Sequence, residues 1–244
     1  MSRALVIAGH GSHLDPNASA PLYAHAAAIR AEGAFDEVRV ATWKEEPSLS
    51  RAFDGLDADD ITVVPVFMSD GYFTQQVLPR ELRLDGPVTC RGSRRIRYTR
   101  PIGTHPALAR VLAERAREAG ATPDAAIAVL GHGTPRNPSS ERTIFEQAAN
   151  LRALGPWACV EAVFLEQEPH MSRVLDICPR PIVVVVPLFV ADGWHAGQTI
   201  PEELELDGPE TRRNGRILRY TPAVGTHPSV AGVILELAHE AATW

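Results

Sequence analysis

Short runs of valine, isoleucine and alanine recur along this chain, each closed by glycine, proline or charged residues. Between them lie longer stretches with Ala, Leu, Arg and Glu at helical spacing. The runs "ALVIA", "EVRVATW", "ITVVPVF" and "IRYTRPI" in the first half, and "AAIAVLG", "VEAVFL", "PIVVVVPLF" and "RILRYTP" in the second, read as strands. Helices are expected over 18–32, 47–55, 74–82 and 106–119, and again over 140–153, 169–176, 196–204 and 228–242. Strands that alternate with helices specify parallel βαβ units. The nearly unbroken valine run suits a strand buried on both faces.

The pattern occurs twice. "IAGHGSHLDPN" at 7–17 and "VLGHGTPRNPS" at 129–139 place His10 and His132 at an offset of 122, and the offset holds along almost the whole chain. "VVPVFMSDGYFTQQVLPRELRLDGP" at 63–87 lies over "VVPLFVADGWHAGQTIPEELELDGP" at 185–209, and "RYTRPIGTHP" over "RYTPAVGTHP". The expected fold is therefore α/β, with two similar lobes related by internal duplication, each a small parallel sheet flanked by helices. Residues 1–120 and 121–244 are expected as the lobes, joined near "EAGATPDAA", where Gly and Pro interrupt the helical pattern.

Composition narrows the function. With 45% hydrophobic and 22% charged residues over 244 positions, the chain has ordinary globular usage. A net charge of −6 argues against a general nucleic-acid or anionic-membrane binder. Cys90, Cys159 and Cys178 form no CxxC pair and read as buried thiols in a reducing compartment. The start "ALVIAG" lacks a signal-peptide pattern, and the longest apolar stretch is too short to span a bilayer, so a cytoplasmic protein is expected.

In open α/β sheets, ligands bind at the carboxyl ends of the strands, where both Gly-His-Gly motifs fall. In the second copy His132 follows the first strand, Glu166 ends the second and His195 follows the third. Two imidazoles and a carboxylate suit a divalent first-row metal such as iron, cobalt or nickel. A blander alternative makes Glu166 a solvated strand-end residue and His195 a loop residue. The first copy has His10, Lys44 and Phe73 at these places, so it should not bind metal in the same way; Lys44 and Phe73 instead suit the lining of a ligand cavity, and His10 and Phe73 are candidates for substrate contact. Glu168, matched by Glu46 and followed by proline, fits a structural turn or a helix start, and His105 and His227 fit helix starts. His13, His25, His170 and His239 have no counterpart and are given no role. Arg91, Arg94 and Arg97 return as Arg213, Arg216 and Arg219. They are either solvated strand-edge charge or, for Arg213 and Arg216, a means of pairing substrate carboxylates.

The paired "GHGS" and "GHGT", with "VPLFVADGWHAGQTIP", "AVFLEQEP" and "VGTHP", resemble the class II sirohydrochlorin chelatases over nearly the whole chain. The resemblance implies two α/β lobes around a cleft, and insertion of cobalt or ferrous iron into sirohydrochlorin for cobalamin or siroheme. It also implies a metal held by His132, Glu166 and His195. This chain departs from two-lobed bacterial relatives in carrying the intact set in its C-terminal lobe. A carboxylate-rich tetrapyrrole and a divalent metal are the expected partners, with no cofactor beyond that metal and, for want of a nucleotide-binding motif, no ATP. The chain is expected as a monomer with pseudo-dimeric lobes or a weak homo-oligomer. Rival readings are a non-catalytic metal or tetrapyrrole carrier, a protoporphyrin ferrochelatase and a phosphoryl-transfer enzyme.

Overall fold

A computed structural model describes residues 2–15, 17–134 and 138–244 of the protein. Pro135, Arg136 and Asn137, part of the second Gly-His-Gly loop, lie outside the described residues. The strands and helices of the first copy are β1 (Arg3–Gly9), α1 (Ala20–Glu32), β2 (Glu37–Thr42), β3 (Asp60–Pro65), α2 (Leu78–Glu81), β4 (Val88–Arg91), β5 (Arg94–Tyr98) and α3 (Leu108–Glu118). The second copy supplies β6 (Ala126–Gly131), α4 (Pro138–Leu154), β7 (Cys159–Phe164), α5 (Val174–Ile177), β8 (Ile182–Pro187), α6 (Ile200–Glu203), β9 (Glu210–Arg213), β10 (Arg216–Tyr220) and α7 (Val230–Ala241).

Each copy builds one five-stranded sheet, in the order β2-β1-β3-β5-β4 and β7-β6-β8-β10-β9. The α/β fold with a duplicated lobe is as the sequence implies. Four strands of each sheet are parallel, and the fifth, β4 or β9, pairs antiparallel with β5 or β10 as an edge hairpin. The sequence reading missed these edge strands because β4 and β9 each bury a single residue, Thr89 and Thr211, and form no apolar run. Their turns carried a signal: the two residues linking β9 to β10 are Asn214 and Gly215, both at positive φ, a favoured hairpin pair.

The centre of each sheet is fully apolar. β1 buries Ala4, Leu5, Val6, Ile7 and Ala8, and β8 buries Val183 to Val186. The expected helix at 47–55 is a single 3-10 turn at Leu49–Arg51, and the one at 74–82 is a π-helical turn over Phe73–Val77 that leads into α2.

Packing divides the chain differently from its duplication. The compact units are residues 1–105 with 228–244, and residues 106–227. The break expected at 120/121 marks the sequence repeat, but each copy's last helix packs in the other unit. α7 lays Val230, Val233, Ile234 and Leu237 at helical spacing against β3 and α1 of the first unit. α3 buries Leu108, Val111 and Leu112 in the second unit, against β8 and α4. The link from α3 to β6 is only residues 119–125, which ties α3 to the sheet that follows it.

The two Gly-Thr-His-Pro histidines belong to this exchange more than to helix initiation. Buried His105 donates from Nε2 to Glu240 Oε1 at 3.0 Å in the first unit. Buried His227 donates to Glu118 Oε1 at 3.1 Å in the second. Both carboxyls are held below their ordinary pKa, first by the histidine hydrogen bond. The thiols correct the sequence reading in part: Cys178 is buried, Cys159 half-buried and Cys90 exposed on the edge strand β4.

Candidate metal and substrate sites

In the second unit, β6 pairs in parallel with β7 on one side and β8 on the other, so three carboxyl ends lie side by side. The pairing continues past the strands. Leu165 N–H donates to Gly131 O at 3.1 Å and Glu166 N–H to His132 O at 3.0 Å, which fixes Glu166 beside His132 through the main chain. His195 opens a π-helical turn over His195–Thr199, anchored where the Tyr220 hydroxyl donates to Ala196 O at 2.9 Å.

The glycines around His132 have separate reasons. A Cβ on Gly131 would lie 2.5 Å from Ile144 Cγ1, so glycine lets α4 approach the strand end. Gly133 has φ +72°, and a Cβ there would meet Gln167 Cγ at 2.7 Å.

His132 Nδ1 lies 3.0 Å from Gly133 O. A carbonyl can only accept, so Nδ1 donates and Nε2 is the ring nitrogen not engaged by this main-chain bond. The Glu166 carboxylate comes within 3.6 Å of His132 Nδ1, and the His195 ring stands edge-on to His132 with centroids 5.1 Å apart. The structure thus brings His132, Glu166 and His195 together, with His195 and Glu166 exposed and His132 half-buried. They are adjacent but not preassembled: among the described residues, no three His, Cys, Asp or Glu side chains are arranged to hold an ion.

The first unit repeats the backbone with other side chains. Trp43 N–H donates to Gly9 O at 3.1 Å and Lys44 N–H to His10 O at 2.9 Å, so Lys44 occupies the place of Glu166. His10 Nδ1 donates to Gly11 O at 2.7 Å. The His10, Trp43 and Phe73 rings pack edge to face with centroids 5.0–5.3 Å apart, and the Lys44 ammonium sits 3.7 Å from the centre of the Trp43 ring.

Arg213 and Arg216 are elsewhere. Ile217 pairs with Ile182, so the β9–β10 hairpin turn lies at the amino end of β8, opposite the strand ends that carry His132 and Glu166. Arg213 donates to Leu204 O and Glu205 O, and Arg216 to Leu175 O. Arg91 and Arg94 bind main-chain carbonyls in the same way, and Arg97 is buried against Asp60. Apart from Arg97, these guanidinium groups close off loop and helix-end carbonyls, which is a structural task.

Glu168 accepts from His170 N–H at 3.0 Å and Glu46 from Ser48 N–H at 3.0 Å, the expected turns. His170, given no role from the sequence, is a positioning residue. Its Nδ1 accepts from Ser172 N–H, and its Nε2 donates to Leu165 O at 2.8 Å, next to Glu166. It has no counterpart in the first copy, so comparing the copies could not reveal it.

A family model described as CbiX matches residues 4–119 and again 126–241. The chain belongs to the CbiX family. A Halobacterium salinarum relative named a probable sirohydrochlorin cobaltochelatase is 42% identical over 98% of this chain and 91% of its own length. The sirohydrochlorin cobaltochelatase of Methanococcoides burtonii is 32% identical and aligns with 47% of this chain and 94% of its own length, about one CbiX repeat. Among solved structures, a multi-domain Deinococcus radiodurans protein with structural similarity to chelatases superposes with a TM-score of 0.86 at 35% identity. It covers 98% of this chain, which spans 55% of that protein's length. SirB of Bacillus subtilis, solved with Fe3+, shares the CbiX fold at a TM-score of 0.80 and 22% identity over 99% of this chain and 96% of its own.

Proposed function

We propose that this CbiX protein is a sirohydrochlorin chelatase that exchanges two pyrrole protons of the macrocycle for one divalent metal, Co2+ or Fe2+, at the C-terminal repeat. The observation that carries the reading is the convergence of His132, Glu166 and His195 beside adjoining strand ends, with the Nδ1–Gly133 bond leaving Nε2 as the ring nitrogen available to a metal. The names of the 42% and 32% identical relatives support the same reaction and favour cobalt.

In this reading the metal is a substrate held briefly, and an incompletely preassembled set is suited to release. Glu166 offsets the cation's charge, while His195 and His132 supply imidazole nitrogen. His132 also serves as proton acceptor once the metal has passed to the macrocycle, since a neutral imidazole takes a proton near neutral pH. The test is an anaerobic absorbance assay with sirohydrochlorin and Co2+ or Fe2+, comparing wild type with His132→Ala and His10→Ala. Insertion abolished by His132→Ala, and slowed in His10→Ala only through substrate affinity, with KM raised and kcat kept, is the expected result. A wild type that binds metal and tetrapyrrole without turnover makes the protein a carrier, and preference for a two-carboxylate porphyrin makes it a ferrochelatase of another kind.

A further inference from the structure

Lys44 is the one lysine in the chain; the other 23 of its 24 Lys and Arg residues are arginine. Where a cation is needed to bind a carbonyl or pair with a carboxylate, this protein uses guanidinium. The ammonium is kept at a single place, the first-unit position that matches Glu166 of the metal set. Arginine and lysine differ there in a specific way: an ammonium is a compact point charge with rotatable donors, and a guanidinium is a flat fork.

The surroundings of Lys44 are those of a binding site. A cavity of about 630 Å3 is lined by Ser12, His13, Trp43, Lys44, Glu45 and Glu46, among others. Its two carboxylates are already engaged. Glu45 accepts from Ser12 N–H at 2.5 Å and Ser19 Oγ at 2.7 Å, and Glu46 accepts from Ser48 N–H and faces Arg51. Lys44 has no carboxylate partner among the described residues and rests on the Trp43 ring. Beside it the His10 and Phe73 rings complete an aromatic cluster, a surface that favours a flat conjugated ligand.

We propose that Lys44, presented on the face of Trp43 beside the His10–Phe73 cluster, is a carboxylate-recognition site of the first unit, and that its ligand is a peripheral carboxylate of the metal-free tetrapyrrole. The identity of the ligand rests on the chelatase reading. The site itself rests on the lone ammonium, its cavity and its rings. The same charge repels a divalent cation, so the first repeat discriminates for an anionic ligand where the second takes a metal.

The single lysine makes the test selective. Reductive methylation with 13C-formaldehyde labels Lys44 and the N-terminal amine alone, and each is followed by mass spectrometry and NMR with and without metal-free sirohydrochlorin under anaerobic conditions. The expected result is at least tenfold slower labelling of Lys44 in the presence of sirohydrochlorin, with the N-terminal amine unaffected. In an absorbance titration, Lys44→Gln should weaken sirohydrochlorin binding by about tenfold to a hundredfold, with Lys44→Arg in between. Unchanged labelling of Lys44 at saturating sirohydrochlorin, or wild-type affinity in Lys44→Gln, overturns the proposal. Should Lys44→Gln fail to fold, the labelling of the wild type still decides. Metal insertion with an unprotected Lys44 removes this inference and leaves the function standing; a protected Lys44 without metal insertion does the reverse.

Discussion

The ends of β1–β3 and of β6–β8 share a backbone and differ in chemistry. Lys44 and Glu166 donate their main-chain N–H to the preceding histidine carbonyl at 2.9 and 3.0 Å, and both histidines are oriented by a carbonyl acceptor one residue on. Above that common frame one site has two imidazoles and a carboxylate, while the other has an imidazole, an ammonium and a phenyl ring. The scaffold fixes where side chains stand, and in the function proposed above two substitutions decide whether a cation or an anion is welcome there.

The comparison can be broken most severely by writing one site's residue into the other. Glu166→Lys is expected to lower cobalt insertion at least a hundredfold, a loss of about 2.7 kcal/mol of transition-state stabilisation, measured in the anaerobic absorbance assay with the fold checked by circular dichroism. The reciprocal change, Lys44→Glu with Phe73→His, is expected to raise bound Co2+ from one to two per chain by calorimetry. A stoichiometry still at one would show that the first unit's frame does not support a metal set.

The terminal helices allow a second comparison. Ile234 on α7 and Leu112 on α3 occupy matching positions and are both fully buried. Truncating either to alanine should cost about 2–4 kcal/mol. Hydrogen exchange should rise in β1 and β3 for Ile234→Ala, and in β6 and β8 for Leu112→Ala. Faster exchange in the sheet of the mutated helix's own repeat would contradict the exchange of helices.

The smallest effect expected is from acid. Glu118 and Glu240 titrate below their ordinary 4.5 because His227 and His105 bond to them. Their contribution is therefore complete above that value and is lost as pH falls toward the lowered ones. The carboxylates are half-exposed, so the effect is modest. Relative to wild type, Glu118→Gln and Glu240→Gln should lower Tm by a degree or two at pH 7 and leave it unchanged near pH 3.

Much of this was legible in the sequence. The parallel strands were visible as β-branched runs, most plainly β1, β3, β6 and β8, because a strand buried on both faces has almost no polar positions. The metal candidates emerged from comparing copies, since a loss in one highlights a retention in the other. That method was blind to His170, which exists in one copy only, and its repeated arginines, Arg97 excepted, turned out to bind main-chain carbonyls. It also could not see that α3 and α7 trade sheets, because the apolar faces of the two helices are alike and nothing in their pattern says which sheet each will cover.

The exchange of α3 and α7 also sets an order of events during synthesis. When residue 119 leaves the ribosome, the first sheet has all five strands but not the helix that will cover β3, which is encoded more than a hundred residues further on. At roughly 5–20 residues per second, that face stays uncovered for about 6–25 s. The half of the protein made first is thus the half finished last, and translation speed across the second half governs how long its apolar surface is open to other proteins.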